Sequence, residues 1–177
     1  MSIGAYDIST NHNILAYASD DSGNEYYDLV FKDLKTGELL PDKIENISSS
    51  IAWCNDNETV YYIKFDDAWR PYQLWRHKLG EKVENDQSIY QEDDIKFRIG
   101  IDRTRDDKYM ILHVGSAITD EVHYIDANNP YENDGKFKCI SPRVNGLEYT
   151  VDHQGDDFLI LMNDDAINFQ LYAVKDN

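Results

Sequence analysis

The groups in this sequence most able to do chemistry are carboxylates; the rarer reactive side chains are scattered. Five histidines (His12, His77, His113, His123, His153) and two cysteines (Cys54, Cys139) form neither H-E-x-x-H nor C-x-x-C, the spacings that bring donors onto one metal. No metal and no cofactor are therefore expected, and both cysteines read as reduced thiols. Acyl transfer by serine needs a G-x-S-x-G elbow that presents Oγ on a tight strand-to-helix turn, followed by Asp and His. The 177 residues hold no such pentapeptide. The densest serine cluster, Ser48-Ser49-Ser50, lacks flanking glycines and leads into a candidate strand. Phosphate-cradling glycine loops are missing as well. Asp20-Asp21-Ser22-Gly23-Asn24-Glu25 departs from the order of a calcium loop and reads as a hairpin turn. Arg70, Trp75, Arg76 and His77 mix cations with aromatics, a combination able to hold a carboxylate or stack, but their place in the repeat favours packing.

The elements that would position these groups recur. Four short hydrophobic runs begin at Ile14, Thr59, Tyr109 and Phe158, spaced by 45, 50 and 49 residues. Each is followed by an alternating run centred on Leu29, Leu74, Val122 or Leu171, spaced by 45, 48 and 49 residues. Before each first run stand turn formers: Asn11-His12-Asn13, Asn55-Asp56-Asn57, Asp106-Asp107 and Gly155-Asp156-Asp157. Upstream of every turn lies another candidate strand (4–9, 49–53, 97–102, 148–152), and weaker ones follow at 42–45, 87–91 and 137–141. The 13 tyrosines, the β-branched runs and the lack of an i, i+3, i+4 apolar stripe favour strands over helices. A second strand that is apolar on both faces suits a sheet covered on both sides.

Four-stranded antiparallel units repeating at this length describe the blades of a β-propeller; a β-sandwich would not need such regularity. The expectation is an all-β fold with blades at 4–46, 48–92 and 95–142 and an incomplete one at 147–177. Propellers close with ~4–8 blades, so the chain reads as part of a ring. Inner strands line a propeller's channel, which makes Asp7, Asp102, Glu148 and Asp152 candidates for an acidic throat.

Composition narrows the partners. With 17 Lys+Arg against 34 Asp+Glu the formal charge is −17, which disfavours nucleic acid, whose binding depends on cations neutralising phosphate, and attracts cationic peptides. The longest apolar stretches, 14–18 and 158–162, are far shorter than the ~20 residues that span a bilayer. The opening residues MSIGAYDIST show no secretory signal, and a cytoplasmic location is expected.

The sequence also resembles the β-propeller domain of the prolyl oligopeptidase family of serine peptidases, in its oligopeptidase B (protease II) branch. The residues that carry the resemblance run from end to end. They are Phe31-Lys32-Asp33-Leu34-Lys35-Thr36-Gly37-Glu38-Leu39-Leu40-Pro41-Asp42, Ile51-Ala52-Trp53-Cys54-Asn55-Asp56-Asn57 and Arg70-Pro71-Tyr72-Gln73-Leu74-Trp75-Arg76-His77-Lys78-Leu79-Gly80. Further on come Tyr124-Ile125-Asp126-Ala127, Glu148-Tyr149-Thr150-Val151-Asp152-His153 and Asn163-Asp164-Asp165-Ala166-Ile167-Asn168-Phe169. The resemblance implies about three and a half blades of seven. It also implies a catalytic α/β-hydrolase domain, absent from these residues, over which the propeller admits short peptides and excludes folded proteins. Cleavage after Arg or Lys is implied for the parent serine endopeptidase, whereas the chain alone is expected not to be an enzyme. The reading from a different class is a free-standing interaction module that self-associates through its open terminal blades; a third is a segment with no function of its own.

Overall fold

The computed structural model describes residues 1–176. Four sheets follow one another along the chain, each built from strands adjacent in sequence and antiparallel in space. The first blade holds β1 (Ser2–Ile8), β2 (Ile14–Asp20), β3 (Tyr27–Asp33) and β4 (Leu39–Ile47). In the second are β5 (Ile51–Trp53), β6 (Thr59–Phe65), β7 (Pro71–Lys78) and β8 (Gln87–Gln91). β9 (Arg98–Arg103), β10 (Tyr109–Gly115), β11 (Asp120–Asp126) and β12 (Lys138–Ser141) form the third. The fourth has three strands, β13 (Tyr149–Gln154), β14 (Asp157–Met162) and β15 (Gln170–Lys175). The fold is a partial β-propeller, and no helix among the described residues is long and apolar enough to cross a membrane.

The burial of β6 shows why the second strands lack alternation. Residues Thr59 to Ile63 are all buried. Val60 and Tyr62 point into the seam with the first blade, beside Ala16, Leu29, Phe31 and Trp53. Tyr61 and Ile63 point the other way, beside Ile99, Ile101, Met110 and Leu112 of the third. β10 repeats the arrangement, turning Met110, Leu112 and Val114 to one seam and Tyr109 and Ile111 to the next. Successive side chains on a strand face opposite ways, so a strand between two neighbouring blades must be apolar on both faces. β6 pairs with β5 on one side and β7 on the other.

The turn between the first two strands of a blade needs one left-handed residue. His12, Asn57 and Asp107 fill it in the first three blades, with φ of 59°, 59° and 61°, and Gly155 fills it in the fourth at 69°. Asn, Asp and His are the side chains that best tolerate that region, and Gly enters it without strain. The expected turn over 155–157 is one residue shorter, because Asp157 already pairs with Gln154. Phe137 lies outside β12, its ring set edge-on 5.4 Å from Tyr61; packing across the seam takes it out of the edge ladder.

Candidate functional site

Of the innermost strands β1, β5, β9 and β13, three carry the candidate aspartates, and Glu148 immediately precedes β13. Pairing with the second strand aligns Asp7 with Ala16, Ala52 with Tyr61, Asp102 with Ile111 and Asp152 with Leu159. Asp7, Asp102 and Asp152 therefore occupy one register in three blades, and the second blade has Ala52 there. In each case Oδ1 accepts the next residue's backbone N–H at 2.8 Å, from Ile8, Arg103 and His153.

Their remaining contacts differ. Asp7 Oδ2 accepts the Trp53 backbone N–H at 2.8 Å, and Oδ1 lies 3.9 Å from Arg103 Nη2. Asp152 accepts the Arg105 N–H at 3.0 Å and faces its Nε at 3.4 Å. Asp102 is exposed. Glu148 sits at the far end of β13, where its backbone and carboxylate are both bonded to Asn163. The structure thus gathers the three aspartates at one end of the inner strands and leaves Glu148 at the other. It also brings in Arg103, whose Nε holds Asp107 at 2.8 Å and whose Nη1 donates to the Trp53 carbonyl at 3.4 Å. Arg103 was not singled out in the sequence; aligning it with Ile8, Trp53 and His153, each one residue after the register shared by Asp7, Ala52, Asp102 and Asp152, would have found it. Tyr6, Asp7, Thr10, Arg103 and Asp107 line an open cleft of about 340 Å³ beside it.

The same end of the blades is stitched together by its turns. Asn57 Oδ1 accepts from the Thr10 hydroxyl and the Asn11 N–H. Asn55 donates to the Asp107 carbonyl and to Asn128, and its N–H to the Ala127 carbonyl. Lys108 reaches the Gly155 carbonyl and Asp176. The first turn of each of the first three blades thereby bonds to the blade that follows.

The mixed cluster at and just before β7 is structural. Arg70 is buried, paired with Asp66 at 2.8 Å, and donates to the carbonyls of Glu92, Asp94 and Phe97, clamping the hairpin to the link between the second and third blades. Arg76 lies over the Tyr131 ring at 4.0 Å and donates to the Pro130 carbonyl. His77, fully buried, bridges Asp86 at 2.7 Å and Asp42 of the first blade at 3.3 Å. Burial opposes its protonation, yet the bonds and charges of Asp86 and then Asp42 outweigh that and raise its pKa. Trp75 packs against the first seam with Lys64 above its ring.

Other residues weighed in the sequence also find partners. Asp20 accepts the N–H groups of Ser22, Gly23 and Glu25, closing its own loop; burial opposes but those bonds prevail, and its pKa falls to about 2. Ser50 Oγ accepts the Ile101 N–H across the second seam. Burial lowers the pKa of His113, and His153 lies between Asp106 and Asp176. Among the described residues no histidine ring is hydrogen-bonded to a serine or cysteine side chain; the ring bonds of His77, His123 and His153 go to carboxylates. Cys54 is buried and Cys139 exposed, both free. One group has metal-ligand chemistry: donor atoms of Glu121, His123 and Cys139 lie within 4.8 Å of one another.

Comparison with known proteins fits this architecture. The family described as "Prolyl oligopeptidase, N-terminal beta-propeller domain" matches residues 1–177. Protease 2 of Moraxella lacunata is 38% identical over 173 residues, which is 97% of this chain and 25% of that protein. Dipeptidyl aminopeptidase BI of Pseudoxanthomonas mexicana is 36% identical over 96% of the chain and 23% of its own length. Oligopeptidase B of Trypanosoma brucei, solved with covalently bound antipain, superposes with a TM-score of 0.88 at 28% identity, over 99% of this chain and 24% of that one. The chain thus spans about a quarter of the length of the curated relatives it matches.

Proposed function

The chain belongs to the prolyl oligopeptidase family, as its N-terminal β-propeller domain, and on that premise we propose that it governs access to a serine oligopeptidase active site that cleaves short peptides after Arg or Lys. In this reading the 177 residues break no bonds. Their partner is an α/β-hydrolase domain of the parent protein, and the propeller screens what reaches it. The observation that carries the reading is the repeated carboxylate of Asp7, Asp102 and Asp152 at one end of the innermost strands, in a domain of net charge −17. Glu148 completes the proposed acidic throat at the opposite end. A field of that sign concentrates cationic peptides and repels anionic ones. Two free thiols, Cys54 and Cys139, suit a reducing compartment, and the cytoplasm is the proposed location.

Binding of equal-length cationic, neutral and acidic peptides to the purified chain, followed by fluorescence anisotropy across a salt series, tests the throat. The cationic peptide should bind best and weaken as salt rises, and Asp102→Asn combined with Asp152→Asn should weaken it further. Equal binding of all three, or binding indifferent to salt, removes the idea. Cleavage after Arg or Lys by preparations freed of contaminating proteases would contradict a noncatalytic role.

A second reading is favoured by the last blade. Leu161 on β14 and its cross-strand partner Leu171 on β15 are 45% and 65% exposed, so the isolated chain offers an apolar face to a second copy.

A further inference from the structure

We propose that Glu121, His123 and Cys139 form a site for a divalent transition-metal ion, with Zn²⁺ the ion their donor set fits best. Glu121 and His123 stand two residues apart on β11, hence on one face of the blade, and Cys139 on β12 is the direct cross-strand partner of His123. The three donors are fixed by a hydrogen-bonded ladder rather than by a loop. Carboxylate, imidazole and thiolate together are a zinc set, three protein ligands leaving a fourth position for water.

The spacing is close to what the ion needs. Tetrahedral bonds of ~2.0–2.3 Å put ligand atoms about 3.3–3.7 Å apart, whereas the three donors here lie within 4.8 Å. The longest separation closes by about 1 Å and the 2.6 Å contact between His123 Nε2 and Glu121 Oε1 opens by less; side-chain rotation supplies both.

The surroundings fit as well. Arg143 is anchored on Glu92 and the Tyr90 hydroxyl, and its Nε lies 3.2 Å from Glu121 Oε2, so it engages one Glu121 oxygen and leaves Oε1 to His123. Two carboxylates, Glu92 and Glu121, face this single guanidinium, and the local charge favours a cation. Glu121 and His123 side chains are 14% and 13% exposed, while Cys139 is exposed on the outer strand and gives the ion its route in. Binding forms metal–sulfur, metal–nitrogen and metal–oxygen bonds, releases the thiol proton to solvent, and moves the imidazole proton to the other ring nitrogen. Affinity therefore rises with pH.

Titration of the purified chain with Co²⁺ and then Zn²⁺ tests the site. One equivalent of Co²⁺ should produce a thiolate-to-metal charge-transfer absorption that Zn²⁺ displaces. Cys139→Ser should abolish the band and, like His123→Ala, weaken Zn²⁺ at least tenfold, while Zn²⁺ should shield Cys139 from alkylation. Cys139 is exposed, so its serine variant keeps the fold. Absence of the band, or a Cys139→Ser chain that binds Zn²⁺ within twofold of the parent, would overturn the proposal and leave the metal on ordinary surface carboxylates.

Discussion

Asp7 holds Trp53 twice: its Oδ2 accepts the Trp53 backbone N–H at 2.8 Å, and its carbonyl accepts the indole N–H at 3.2 Å. Trp53 is fully buried, so these bonds fasten the inner strand of the first blade to that of the second where water cannot substitute. Asp7→Ala leaves a buried N–H unpaired, at a cost of about 1–3 kcal/mol. Thermal melting should fall by about 2–4 °C for each kcal/mol lost in a chain of this size. Asp7→Asn, which keeps an acceptor, should recover most of it. An alanine variant melting with the parent would show that the contact contributes nothing.

Arg70 makes the same kind of bond at the opposite edge, on three carbonyls and Asp66 at once. Removing it as Arg70→Ala should cost about 1–3 kcal/mol in urea unfolding, since the buried carbonyls of Glu92 and Phe97 lose their donor. Arg70→Lys should restore little, because an ammonium lacks the planar fork that reaches several acceptors. Recovery of more than half the loss by lysine would contradict the clamp.

Stability should depend on pH through His77. Its folded pKa lies above the ordinary 6.5, so its contribution is full below 6.5 and is lost as pH rises through the raised value. Asp42 also accepts the Gly80 N–H, Asp86 also accepts the Tyr62 hydroxyl, and the Phe31 ring stacks on the imidazole. Urea midpoints of parent and His77→Gln should differ more near about pH 5.5 than near about pH 9; a gap that widens with pH would reverse the argument. On the acid side Asp176, held down to about 2 by Lys108 and the Tyr109 hydroxyl, loses its contribution as pH falls below its ordinary 3.8.

The open face of the last blade should drive self-association of the isolated chain. Leu161 and Leu171, cross-strand partners on one face, are 45% and 65% exposed, an apolar patch of a kind soluble monomers rarely show. Repulsion between chains of charge −17 opposes it and is screened within ~10 Å at 0.1 M salt. Sedimentation should therefore show more dimer as salt and concentration rise, and Leu161→Glu with Leu171→Glu should abolish it. A monomer throughout the series would mean the face is inert.

The blade repeat was legible because each element of it has a local cause. Two-sided burial makes β6 and β10 continuously apolar, and the left-handed turn residue demands His12, Asn57, Asp107 or Gly155. The candidate sites were harder to read, since side-chain direction within a strand and the approach of one blade to the next are set by tertiary packing. Nothing local says that Asp7 turns to Trp53, or that Arg70 collects the carbonyls of the following linker. His123 and Cys139 are far apart in sequence and match no motif; only the β11–β12 register places them side by side.

The turn stitches all run from one blade to its immediate successor: Thr10 and Asn11 to Asn57, Asn55 to Asp107, Lys108 to Gly155. Seen from the ribosome, that is an order of assembly. A blade closes on strands adjacent in sequence, so its contacts are local and its ladder can form as soon as it emerges. Its second apolar face stays wet only until one more blade is made. Synthesis and folding thus advance at the same pitch, and the most exposed nascent species is always a single unfinished blade rather than a whole unfolded ring.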